Sequence, residues 1–213
     1  YSAICAGGRQ TAKNGNSDDN TYNGVMGTPD LPIKCVITMD IDRKWNDANN
    51  PLRKVFFDKT GTTEERQSDY DAGIILAGNH EGAMYADVDI IVRSGKVARI
   101  VNGTLGNDRD LTFNYPKGSQ NVIHVPCNTF MGRANITLDP EKSENNTDRD
   151  INNRVIVTEL YGGSTGRGHL ASVKVNNPFY GYSTITINGG TFKILPEDNK
   201  KKENILCGIF GAG

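Results

Sequence analysis

The feature that most constrains this chain is a unit that recurs along it. Its clearest copy is Ser183-Thr-Ile-Thr-Ile-Asn-Gly-Gly-Thr191-Phe-Lys193, closed by Ile205-Leu-Cys-Gly-Ile-Phe-Gly-Ala-Gly213. Ile185 and Ile187 alternate with Thr184 and Thr186, the period of two of a strand with one buried face. Asn188-Gly189-Gly190 interrupts the strand with residues that turn a corner at little cost, and Thr191-Phe192-Lys193-Ile194 resumes it. A polar loop and a second apolar run ending in glycines complete the unit. Earlier copies begin at Ala134-Asn-Ile136-Thr-Leu138 and Ala86-Asp-Val88-Asp-Ile90. Superposing Val88, Ile136 and Ile185 gives steps of 48 and 49 residues. The closing halves Ile100-Val-Asn-Gly103 and Ile156-Val-Thr-Glu-Leu160-Tyr-Gly-Gly163 match with a step of 56, stretched by a polar insert over 139–153. Cys35-Val-Ile37-Thr-Met39 with Ile74-Ile-Leu-Ala-Gly78 is a fourth, weaker copy. Self-similarity at a fixed period of this length predicts a stack of repeats, an all-β solenoid, rather than a β-sandwich.

The unit divides the chain. Residues 82–213 bear the regular repeats, as units of about 82–129, 130–178 and 179–213, and residues 1–81 form a less regular part with long polar loops. Ala3-Ile-Cys-Ala-Gly-Gly8 has the form of a unit's closing turn, and the chain also stops inside such a turn. A slice of a longer solenoid is therefore expected, with open ends available to other chains.

Units of the form T-x-T-I-x-G-G-T-F, followed by an apolar strand and a G-x-G turn, resemble the repeats of right-handed parallel β-helix proteins of the pectin-lyase-like kind. They are most similar to the long adhesin-like surface proteins of Bacteroidota. The resemblance covers 82–213 well and the first third loosely; Gly189-Gly190-Thr191 has the full corner, while Ser94-Gly95-Lys96 and Asp139-Pro140 are degenerate. It implies a secreted or cell-surface module with an adhesive or structural role, binding glycan or a host or bacterial surface protein.

Composition narrows the alternatives. The 24 basic and 25 acidic residues are mixed along the chain, and no basic block points to nucleic acid. No apolar run approaches the ~18 residues of a membrane-spanning helix. P-loop, dinucleotide and nucleophile-elbow fingerprints are absent, so no cofactor is expected. The rival reading is a polysaccharide lyase or glycoside hydrolase of the β-helix type. Asn146-Thr147-Asp148 matches a short polygalacturonase motif, and Gly166-Arg-Gly168-His169 distantly resembles another, which makes Asp148 and His169 the candidate catalytic pair. The double-aspartate element and the later Arg-Ile-Lys of that family are missing, and Asp148 falls in the polar insert, so a non-catalytic module is preferred. Asp40, Asp42 and Asp47 offer carboxylates at near-alternate positions, but lack the glycine and distal glutamate of a calcium loop. His80, His124 and His169 are scattered. Cys5, Cys35, Cys127 and Cys207 lack C-x-x-C spacing and read as small buried hydrophobes, or as disulfide partners in an extracellular protein.

Overall fold

A computed structural model of the chain describes residues 3–7, 27–28, 30–41, 71–79, 84–104, 111–114, 120, 122–125, 130–164, 179–194 and 207–211. The protein is all-β, with two single-turn 3-10 segments at Pro140–Lys142 and Ile151–Asn153 as its only helical elements among the described residues.

The described residues form eleven strands. A first ladder consists of β2 (Ile33–Asp40), the first half of β4 (Met84–Val101), β7 (Phe130–Leu138) and β9 (Phe179–Ile187). A second consists of β1 (Ala3–Cys5), β3 (Ala72–Leu76), the second half of β4, β8 (Val155–Tyr161) and then the short β10 (Thr191–Phe192) and β11 (Gly208–Phe210). Every pairing in both ladders is parallel and follows chain order. Apart from them, β5 (Leu111–Asn114) and β6 (Val122–Val125) pair as an antiparallel two-stranded sheet. One pass through the first ladder and then the second makes a rung; the described residues hold four, 33–76, 84–101, 130–161 and 179–210, with β1 beside the first. Among the described residues the sheet does not close into a barrel.

Alternation explains which side chains meet. In the first ladder the inward positions align as Cys35–Val88–Ala134–Ser183, Ile37–Ile90–Ile136–Ile185 and Met39–Val92–Leu138–Ile187. Val88, Ile90, Val92, Ala134, Ile136 and Leu138 are at most 1% exposed, so the two central rungs are fully dry. They pack on Val97, Ile100, Val155, Val157 and Leu160 of the second ladder, and the main core lies between the ladders. Each buried Ile or Val contributes about 1.5–3 kcal/mol by leaving water. Phe130 and Phe179 extend the core with rings stacked at 5.1 Å. On the second ladder Ile74, Leu76, Val101 and Tyr161 form a separate apolar cluster with Cys5 and Phe210, in which Tyr161 and Phe210 stack at 4.8 Å.

In rung 4 the second ladder is shared between two short strands. Ile156 and Val157 of β8 pair with β10, whereas Glu159, Leu160 and Tyr161 pair with β11. Between the ladders lies a corner whose length differs by rung. Rung 2 turns within the continuous strand β4, where Gly95 takes φ +128. Rung 4 turns over Asn188-Gly189-Gly190, the interruption expected from the sequence, and rung 3 carries the polar segment 139–154 there.

Parallel strands and the paired closing runs agree with the sequence reading, but its register needs correction. Val88 lies opposite Ala134; the residue opposite Ile136 is Ile90, so the step is 46 and not 48. Ile100 lies opposite Leu160, a step of 60 and not 56. Ile136 does face Ile185, as expected. Ile185 is only half-buried, because β9 has no further strand beside it among the described residues. Cys207 is exposed, against the expectation of a buried hydrophobe; Cys5 and Cys35 are half-buried, and all three are free thiols. Cys127 lies outside the described residues.

Candidate functional site

The outward face of the first ladder is where side chains are most available. Alternation sends Tyr85, Met131 and Tyr180 outward in one row, and Lys34, Asp87, Arg133 and Tyr182 in the next. Two further rows are Val36–Asp89–Asn135–Thr184 and Thr38–Ile91–Thr137–Thr186. Tyr180 is 59% and Tyr182 77% exposed. Their Cα atoms stand roughly 7 Å apart along β9, the rise of two strand residues, with neighbouring rungs about 4.8 Å to the side. Asn135 Nδ2 donates to Asp89 Oδ1 at 2.8 Å, linking rungs 2 and 3 across the face. Two cations and two anions interleave at single-rung spacing, so the face carries no net field toward a polyanion or a polycation.

The corner beside this face is strongly polar. Asp40, at the end of β2, accepts hydrogen bonds from Ser94 Oγ (2.9 Å), Ser143 Oγ (2.6 Å) and the Glu144 N–H (3.0 Å). Burial alone would raise its pKa; the bonds from Ser143, Glu144 and Ser94 and the Arg93 charge outweigh that and hold it below the usual value. Asp139 behaves alike: burial opposes ionisation, but bonds from Lys142 and Asn188, with the charges of Lys142 and Arg93, lower its pKa. Both groups bind protons more weakly folded than unfolded. Their stabilisation is therefore complete above the ordinary carboxylate range and disappears as pH falls through the lowered folded values. Thermal stability should drop below about pH 4, and Asp40→Asn should make that acid limb shallower. A melting temperature equally acid-sensitive in wild type and Asp40→Asn would remove Asp40 from this account.

The residues singled out from the sequence do not converge. Both side-chain oxygens of Asp40 are occupied by donors, and Asp42 and Asp47 lie outside the described residues. Asp148 sits in a run of side-chain-to-backbone turns: Asn146 Oδ1 accepts from the Asp148 N–H, Asp148 Oδ1 from the Asp150 N–H, and Asp150 Oδ1 from the Asn152 N–H. Arg154 Nε closes the run onto the Asp148 carbonyl at 2.9 Å. In such a run the carboxylate shapes the loop. His169 and His80 lie outside the described residues, and His124 is placed on β6. Among the described residues no three His, Cys, Asp or Glu side chains come together as metal ligands, and no helix is long and apolar enough to cross a membrane.

Sequence reasoning overlooked two buried polar groups. Glu159 is 1% exposed and pairs with Arg99, Nε to Oε2 at 2.6 Å, across rungs 2 and 3. Its charge, after burial, also raises the pKa of the nearby Cys207 thiol. Asn102, completely buried, donates from Nδ2 to the Ala134 carbonyl (2.9 Å) and to Ser183 Oγ (2.8 Å). The Thr-Glu pair inside the otherwise apolar run Val155–Tyr161 was the available signal for the first. No family model, curated protein or solved structure matches the chain.

Proposed function

We propose that the chain is a right-handed parallel β-helix module of a secreted or cell-surface protein, and that it binds glycan through the outward face of its first ladder. The solenoid reading is supported by ladders in chain order and by one strand serving both of them; right-handed crossing is the rule for parallel connections. The single observation that carries the binding reading is the pair of exposed rings, Tyr180 and Tyr182, on a ladder face with Arg133, Asn135, Thr137, Thr184 and Thr186 around them. Tyrosine rings offer an apolar plate with a polar tip, suited to the faces of sugar rings, and amide and hydroxyl side chains suit sugar hydroxyls. Val36 and Ile91 stand among polar neighbours, so the face lacks the apolar centre typical of protein interfaces. The interleaved charges favour a neutral glycan.

A panel of immobilised glycans tests this. The wild-type chain should retain at least one neutral glycan, and Tyr180→Ala and Tyr182→Ala should each weaken that binding by about tenfold, the effect of losing roughly 1.4 kcal/mol from an aromatic contact. Their far-ultraviolet circular dichroism should not change, since both side chains are exposed. Retention of no glycan, or equal retention by the variants, would sink the proposal; capture of a surface protein through the same tyrosines would replace glycan by protein as the ligand.

A further inference from the structure

We infer that the four rungs open as one cooperative unit, because two polar ties each skip a rung on opposite sides of the core. In a stack where every layer touches only its neighbours, coupling is passed on layer by layer and the outer layers fray first. Asp40 departs from that scheme. It belongs to rung 1, yet its carboxylate is held by Ser143 Oγ at 2.6 Å and the Glu144 N–H at 3.0 Å, both in the corner segment of rung 3. Its own carbonyl accepts from Asn145 Nδ2 at 3.1 Å, and Ser94 of the intervening rung 2 joins the same carboxylate at 2.9 Å. Asn102 makes the complementary tie. It belongs to the turn that closes rung 2, and its buried amide reaches the Ala134 carbonyl of rung 3 and Ser183 Oγ of rung 4.

One tie therefore joins rungs 1 and 3, and the other rungs 2 and 4. Separating rung 1 from rung 2 breaks the first, separating rung 3 from rung 4 breaks the second, and separating the middle pair breaks both. No boundary between adjacent rungs opens at the cost of neighbour contacts alone. The corner segment adds a grip on rung 4, where the Gly190 N–H donates to Asn152 Oδ1 at 3.1 Å and Thr191 Oγ1 to the Asn152 carbonyl at 2.9 Å. The segment that reads in sequence as a solvated insert thus acts as a clasp between the first rung and the last.

Native-state hydrogen exchange on the full chain, read strand by strand by mass spectrometry, tests the inference. In the wild type, amides of β2 and β9 should exchange through the same opening as those of β4 and β7. Asp40→Ala should speed exchange in β2 by about tenfold or more, the scale expected when bonds to a charged group are lost, with β7 changed by about twofold or less. Asn102→Ala should release β9 in the same way and leave β2 alone; should that variant fail to fold, Ser183→Ala cuts only the arm to rung 4. Asn135→Ala, which removes a bond between neighbouring rungs at the surface, should leave the pattern as it is. End strands that already exchange ahead of the centre in the wild type would overturn the inference, as would ties whose loss loosens all four strands equally.

Discussion

Ile136→Asp should abolish stable folding at ambient temperature. Ile136 is completely buried between Ile90 and Ile185 in the central column of the first ladder, within the main core. The substitution places a carboxylate there with no partner and removes the apolar contacts as well, a combination that costs upward of about 4 kcal/mol. That is comparable with the whole stability of many domains, about 5–15 kcal/mol. Ile136→Val, which deletes one methylene, should cost about 1 kcal/mol. Ile185→Asp should fall between the two, since Ile185 is half-buried and an aspartate there can reach water. Urea titration ranks the three variants; an Ile136→Asp protein that unfolds cooperatively near the wild-type midpoint would mean that the column is not the core.

The second large effect is expected at Gly132. Its backbone sits at φ +126, and a Cβ added there would lie 2.0 Å from the Ala86 carbonyl oxygen of the neighbouring strand. That oxygen is ladder backbone, so no rotamer change relieves the clash, and positive φ adds strain of its own. Gly132→Ala should therefore cost roughly 3 kcal/mol or more, far above a typical surface change. Gly211→Ala is the control: among the described residues nothing lies within 4 Å of its added Cβ, and the change should stay within about 0.5 kcal/mol. Equal melting temperatures for the two variants would show that β4 and β7 tolerate a wider spacing than their register implies.

The strands and their inward positions were readable in the sequence, and their register was not. Alternation in Ala86–Ile90 and Ala134–Leu138 reports which side chains point inward, and a slip of two residues leaves that report unchanged. Val88 therefore looked as good a partner for Ile136 as Ile90 does. The lead-in residues break the tie, because Met84, Phe130 and Phe179 share a column and Ala86 takes the place of Gly132 and Gly181. An alanine thus occupies in rung 2 the column that glycine fills in the next two rungs. In the second ladder, Val101 faces Tyr161 and the glycines after them mark the true alignment, whereas the apolar run starting at Ile156 suggested a false one.

The site was legible in part. Thr184 and Thr186 read as the outward set of β9, and the same alternation fixes where Tyr180 and Tyr182 point. What escaped was everything that depends on contacts across rungs. Asn102 looked like a turn residue, and 139–153 like a loop, because hydrogen bonds between residues 81 or 103 positions apart leave no local pattern. Asp148 drew attention as part of a tripeptide motif, but its neighbours use it to bend the backbone.

The variable corner between the ladders has a consequence for how such a chain can diversify. In rung 2 the turn is made inside a continuous strand, and in rung 3 the same point holds the whole segment from Asp139 to Arg154, yet the strands on either side remain aligned. Alignment is thus enforced by the pairing of each strand with those above and below it, and the corner is free to differ in length. Rung 3 is the instance: at the point where β4 turns at Gly95, it holds a long peptide segment while the strands before and after stay paired with those of rung 2. A family of surfaces could be generated this way, each carrying different decoration on one unaltered spine.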